Sequence, residues 1–211
     1  FLYDRRKMKT PVIKQIKYSP FLAQLVVTRK CNLACGYCNE YDRDSPPVPL
    51  ETLLRRVTLL RDLGTLAIEF TGGEPLLHPN IAAVVERATN LRFPARMMIS
   101  NAFLMTTEKI NELNRAGLTH LQVSVDGVKP NATTRKTLDL LRGRLNELAA
   151  RAKFEVTLSA VIGAGRPGEA EEVIEFARSR GFKPRALLLH DGAGQLSVSQ
   201  GELAQYESAA K

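Results

Sequence analysis

All three cysteines of this 211-residue chain fall within eight consecutive positions, as Cys31, Cys35 and Cys38 in the stretch RKCNLACGYCNEYD. An odd number confined to one loop is no basis for a secreted disulfide framework. Thiolates at this density hold a soft metal. Zinc is one reading, with a histidine as fourth ligand. However, C-x3-C-x2-C is not a pair of C-x2-C knuckles, and His78, His120 and His190 lie far away in sequence. Three thiolates from one loop suit a cubane iron–sulfur cluster better, with one iron left without a protein ligand. That open iron would be a binding site.

A loop with this chemistry needs a scaffold to aim it. Short apolar, partly β-branched runs read as strands at 23–28, 66–71, 95–100, 120–125, 155–162 and 185–190. Between them apolar residues recur at helical spacing: Leu50, Leu53, Leu54, Val57, Leu60 and Leu63; Ile81, Val84, Val85 and Ala88; Ile110, Leu113 and Ala116. Leu138, Leu141, Leu145, Leu148 and Ala152 form a further stripe, and Val173, Ile174, Phe176 and Ala177 another. Gly64, Gly117 and Gly181 follow helical stripes where a left-handed cap belongs. Alternating βα units predict an α/β fold with a mostly parallel sheet and its ligand site at the C-terminal strand ends. Periodicity alone leaves open whether the sheet curls into a partial barrel.

That rule sorts the remaining polar motifs. The cysteine loop follows the first strand, TGGEP (71–75) ends the second, SNA (100–102) the third, SVDG (124–127) the fourth and HDG (190–192) the sixth. All would share one rim.

Composition sets the wider frame. With 44% hydrophobic and 25% charged residues, the chain has the make-up of a globular protein rather than a disordered one. No apolar run approaches the roughly 18–20 residues of a spanning helix, and the start lacks a secretory core. A cytoplasmic location is the expectation. The net charge of +8 is uneven: Arg5, Arg6, Lys7, Lys9, Lys14 and Lys17 face only Asp4 before Ser19. Such a basic arm is either a solvated leader or a peripheral contact with an anionic membrane surface. No aromatic-rich RNA-binding pattern accompanies it, so nucleic acid is not the expected partner. The expected organisation is a basic leader over 1–22, a core over 23–192, and the start of a C-terminal extension over 193–211.

CNLACGYC with TGGEP and SVDG downstream resembles the radical S-adenosylmethionine (radical SAM) superfamily across about residues 23 to 190. GGEP and SVDG look closest to the branch with molybdopterin-precursor cyclases and SPASM-type peptide maturases. The resemblance implies a partial (β/α)6 TIM-like barrel with parallel strands. It also implies a [4Fe-4S] cluster held by Cys31, Cys35 and Cys38, and S-adenosylmethionine bound at the open iron. An electron delivered through the cluster would cleave the cofactor to a 5′-deoxyadenosyl radical that abstracts hydrogen from an organic substrate.

Carried over by position, Tyr37 would flank the adenine, while Gly72, Gly73 and Glu74 would form the turn that meets the methionyl amino group. Ser100, Asn101, Ser124 and Asp126 would serve the ribose and the methionyl carboxylate. Val161 and Ile162 would pack on the adenine, although the polar residue often found on that strand has no counterpart here. Bland readings stand beside these: Tyr37 as packing under the loop, Asp126-Gly127 as a common turn pair.

His190 and Asp191 are the candidates for the substrate side, with His78, Asn39, Glu40 and Glu69 behind them. Cysteine-rich auxiliary modules and a cobalamin signature do not occur in these residues, yet either could follow Lys211. The resemblance also implies an electron donor such as flavodoxin or ferredoxin, and a substrate that is a peptide, a lipid or another small metabolite. A noncatalytic iron–sulfur electron carrier is the alternative from a different functional class. It would not need TGGEP.

Overall fold

The computed structural model describes residues 19–38, 42–166, 168–189, 195 and 199–209. Asn39, Glu40, His190, Asp191 and the basic residues before Ser19 lie outside them, so the expectations attached to those residues are not addressed by the structure.

Six strands form one sheet: β1 (Leu22–Thr28), β2 (Ala67–Gly72), β3 (Ala95–Ser100), β4 (His120–Ser124), β5 (Glu155–Ile162) and β6 (Lys183–Leu188). They pair in sequence order and every pair is parallel. β1 and β6 do not pair with each other, so the sheet stays open, as in a partial barrel. The strand bounds match the apolar runs closely except at β6, which begins two residues earlier. Its first residues, Lys183, Pro184 and Arg185, are exposed. An edge strand tolerates a proline and polar side chains, and apolar character therefore does not mark where it starts.

The connections carry α1 (Leu50–Asp62), a 3-10 turn (Pro75–Leu77), α2 (Ile81–Asn90), α3 (Thr107–Ala116), α4 (Leu138–Arg151) and α5 (Glu169–Ser179), and α6 (Gln200–Ala209) follows β6. Sequential parallel order with right-handed crossovers puts α1–α5 on one face of the sheet. Their stripes meet the alternate residues of the strands there: Leu53 and Val57, the four apolar residues of α2, Ile110 and Leu113, and Leu141, Leu145 and Leu148 join Ile68, Phe70, Met98, Leu121, Val123 and Leu158 in one buried cluster. Leu63 departs from its stripe. It caps α1 and is 57% exposed, because the helix ends before the stripe does. Gly64, Gly117 and Gly181 all adopt positive φ, as the punctuation predicts.

The pleat sends the other strand residues to the uncovered face. Gln24, Glu69, Met97, Ile99, His120, Gln122, Ser124, Thr157, Ser159 and Arg185 share that face, aligned by the parallel registers. This polar inner face rises to the rim on which the motifs sit. Among the described residues no helix is long and apolar enough to cross a membrane.

Candidate active site at the strand ends

The cysteine loop is closed at its base by backbone pairing. Cys31 N donates to Asp42 O (3.0 Å) and Asp42 N to Arg29 O (2.9 Å). Its far side rests on the loop between β4 and α4, where Gly36 N donates to Thr133 O (2.8 Å) and Cys35 Sγ lies 4.0 Å from Thr134 Oγ1.

The glycine turn joins the same unit. Gly73 N donates to Thr28 O and Glu74 N to Lys30 O, both at 2.9 Å. A Cβ at Gly72, where φ is +129°, would stand 2.0 Å from Thr28 O, and one at Gly73 would stand 2.3 Å from Lys30 O. The two glycines are thus required first by the chain leading into the cysteine loop, whatever ligand later approaches them. Gly72→Ala is expected to cost about 3 kcal/mol of stability, from strain at positive φ plus the displaced carbonyl. Gly143→Ala, with nothing within 4 Å of its Cβ inside α4, should gain about 0.5–1 kcal/mol instead. Urea unfolding of both variants checks the pair, and a Gly72→Ala midpoint equal to the parent's would contradict the close approach.

Three buried carboxylates hold the rim loops in place. Glu74 is fully buried; its Oε1 accepts from Leu76 N (3.0 Å) and Ser100 Oγ (2.8 Å), and its Oε2 from Asn101 N (2.8 Å). Burial pushes its carboxyl up from the usual range, opposed by those three hydrogen bonds. Asp126 Oδ2 accepts from Tyr37 Oη and Thr134 Oγ1, each at 2.6 Å, and pairs with Lys136 Nζ at 3.3 Å. Its Oδ1 is buried without a partner. Glu169 Oε2 accepts from Val128 N (3.0 Å), tying the loop after β4 to the start of α5.

These loops enclose a cleft of about 610 Å³, counted to its open mouth, lined by Cys31, Cys35, Cys38, Gly72, Gly73, Ser100, Asn101, Ser124 and Lys136 among others. The structure therefore brings together three thiols and five of the ten residues expected to contact the cofactor. All three thiols line this one cleft, and the chemistry of the donor set, all sulfur, fits iron–sulfur ligation. Burial pushes the Cys31 and Cys35 thiols up, so metal binding there must displace protons.

Other expected residues sit differently. Ile162 turns into the core behind the sheet, 3% exposed, because the pleat alternates; Val161 faces the inner side but does not line the cleft. The two side chains thus point to opposite faces of the sheet. Glu74 and Asp126 lie behind the cleft wall rather than in it, with their carboxylates turned to protein donors. Tyr37 is fixed by Asp126 and by Lys136, whose ammonium lies 4.9 Å from the ring centre. Its hydroxyl pKa is raised by burial and by the Asp126 charge. Glu69 accepts a hydrogen bond from Gln24 on the inner face (2.7 Å). His78 is 2% exposed; Nδ1 accepts from Asn80 N (3.1 Å), which leaves Nε2 to donate to Val48 O (2.9 Å). Both its nitrogens are committed to the loop, so it holds structure and does not reach the cleft.

Lys136 is the charged residue lining the cleft that no sequence motif marks. It lies within a loop of otherwise ordinary polar composition, and the only available signal was its place downstream of SVDG.

Comparison with known proteins agrees with this geometry. The description Radical SAM superfamily matches residues 25–192. The PqqA peptide cyclase of Methylorubrum extorquens (strain PA1) is 32% identical over 169 residues, covering 77% of this chain and 43% of that protein. The GTP 3′,8-cyclase of Helicobacter pylori is 25% identical over 185 residues, covering 83% of this chain and 57% of that one. The fold is shared with Streptococcus suis SuiB bound to S-adenosylmethionine, at a TM-score of 0.74 and 16% identity over 94% of this chain and 48% of that one. The chain thus spans about half the length of the curated relatives it matches. Since the family match runs from β1 to just past β6 and contains the cysteine loop, the glycine turn and the cleft they enclose, this chain belongs to the radical SAM superfamily.

Proposed function

We propose that the cleft holds a [4Fe-4S] cluster on Cys31, Cys35 and Cys38 and binds S-adenosylmethionine beside it. When bound, the cluster supplies the electron that splits the cofactor into methionine and a 5′-deoxyadenosyl radical, which then takes hydrogen from an organic substrate. The observation that carries this reading is the shared cleft: all three thiols line it together with the Gly72-Gly73 turn, and backbone hydrogen bonds join the two motifs.

Each residue around the cleft has a task in this reading. The Gly72 and Gly73 backbone lines the wall with no side chain, which admits the methionyl amino group. Lys136, mostly buried and anchored by Asp126, offers an ammonium to the methionyl carboxylate. Asp126 therefore acts through Lys136 and Tyr37, not by touching the cofactor. Ser124 presents a short polar side chain for the ribose. The inner face below receives the substrate, and Arg185, whose hydrogen bond goes to the neutral Gln122 Oε1 (2.9 Å), offers an acidic group a partner. The names of the PqqA peptide cyclases favour a peptide over a lipid or a small metabolite. A low-potential donor such as flavodoxin or ferredoxin would supply the electron, and an oxygen-sensitive cluster of this kind suits the reducing cytoplasm.

The test is anaerobic reconstitution, addition of S-adenosylmethionine and a strong reductant, and quantification of 5′-deoxyadenosine by mass spectrometry. Product above the cluster-free control is expected. A redox-active cluster with neither product nor S-adenosylmethionine binding would favour the electron-carrier reading instead.

A further inference from the structure

Asn101, just past the end of β3, reaches a cysteine sulfur with its side-chain amide. Its Nδ2 lies 3.8 Å from Cys31 Sγ and 2.8 Å from Asn32 Oδ1. The orientation of the amide follows from its other end. Asn101 Oδ1 accepts from Phe103 N (3.1 Å), so the NH2 group must face the loop. The backbone beneath is fixed as well, since Asn101 N donates to Glu74 Oε2, and Glu74 is itself held by Leu76 N and Ser100 Oγ. Asn101 is 7% exposed. Its amide has little freedom to point elsewhere.

We infer that the Asn101 carboxamide is a second donor, alongside the backbone N–H of Leu33 at 3.4 Å, to the Cys31 thiolate that ligates the cluster, and that it raises the reduction potential of that cluster. This rests on the cluster reading above. The physics is that of a charge-assisted hydrogen bond. Reduction adds one electron, and part of that charge falls on the ligating sulfurs. A fixed N–H dipole aimed at sulfur then stabilises the reduced form more than the oxidised form. Because Glu74 orients Asn101, the glycine-turn motif would be coupled to the electronics of the cluster through two hydrogen bonds, in addition to its place in the cleft wall. Asn101 is a positioning residue in this role, and its effect on potential is separate from any contact with ribose.

The experiment is a potentiometric titration of the reconstituted protein, followed by electron paramagnetic resonance in the absence of S-adenosylmethionine, so that cofactor contacts play no part. The parent is compared with Asn101→Leu, Asn101→Asp and Asn101→Gln, each with its iron and sulfide content measured. For equal iron content, the reduced-to-oxidised ratio of Asn101→Leu at the parent's midpoint should be about tenfold lower, given the net worth of one hydrogen bond to a charged group; for a one-electron couple this is a midpoint about 59 mV lower. Asn101→Asp should fall further, because it places an acceptor and a negative charge against the thiolate. Asn101→Gln, which keeps the donor, should lie closer to the parent. Midpoints equal to the parent's in Asn101→Leu and Asn101→Asp would overturn the inference while leaving the cluster reading intact. If Asn101→Leu assembles no cluster, the comparison of Asn101→Gln with Asn101→Asp decides. A parent that takes up no iron–sulfur cluster at all overturns the underlying reading, and the inference with it.

Discussion

Cys38→Ala should give a folded protein that cannot hold a complete cluster, with 5′-deoxyadenosine formation falling to the cluster-free background. Cys38 is the cleanest of the three positions for this experiment. Its side chain is exposed, whereas Cys35 is buried in the loop and Cys31 receives hydrogen bonds from Leu33 and Asn101. The turn it closes uses its backbone, Cys38 N donating to Cys35 O at 3.1 Å, and alanine preserves that bond. Loss of an exposed thiol away from core packing should change unfolding free energy by no more than about 0.5 kcal/mol. Activity and stability therefore separate: iron and sulfide drop and the radical product disappears, while the urea midpoint of the metal-free protein stays in place. An undiminished iron-to-protein ratio would remove Cys38 from the ligand set.

Glu74→Ala should have the largest effect on stability of any rim substitution, a loss of about 3 kcal/mol or more. The carboxylate accepts three hydrogen bonds inside the protein, and its removal leaves Leu76 N, Ser100 Oγ and Asn101 N without their partner in a site that water cannot readily reach. Each such orphan costs about 1–3 kcal/mol. Because Asn101 in turn faces Cys31 and Asn32, and Glu74 N is bonded to Lys30 O, the damage should spread to the cysteine loop and lower cluster yield. An effect confined to cofactor binding, with stability unchanged, would show that the buried network matters less than its geometry implies.

Glu74→Gln separates the charge from the packing. Burial raises the Glu74 carboxyl pKa on folding, so the folded state favours the protonated form. The stability this linkage contributes is present below the ordinary glutamate range and is lost as pH rises from that range through the raised value. The stability advantage of the parent over Glu74→Gln should accordingly shrink from acid to neutral pH in paired urea melts. An advantage that grew with pH would mean that the three hydrogen bonds outweigh burial.

The fold was legible because its signals are local. Each apolar run and helical stripe reports the period of one element, and the glycines at 64, 117 and 181 mark helix ends that the structure then shows at positive φ. The relatives found, a peptide cyclase and a GTP 3′,8-cyclase, are consistent with the branch that GGEP and SVDG pointed to. Side-chain facing is less legible: Val161 and Ile162 are adjacent and apolar, yet adjacency along a strand means opposite faces. Nothing in residue order shows that both nitrogens of His78 are bonded, to Val48 and Asn80.

By itself, then, the sequence determined the kind of chemistry and the scaffold that presents it. Three thiols at C-x3-C-x2-C and a glycine turn at a strand end need no neighbours to be recognised, since spacing and residue type carry the information. Only the tertiary structure decided which way each rim side chain turns. Residue order implied cofactor contacts for Glu74 and Asp126 and gave no role to Glu169, but strand register brings backbone and side-chain donors from other loops to all three, and they are buried ties of the site. Lys136 and the Asn101–Cys31 contact belong to the same class, with partners 10 and 70 positions away in the chain. A hydrogen bond depends on distances of about 3 Å between groups far apart in sequence. Residue order cannot fix such distances until the sheet has set its register.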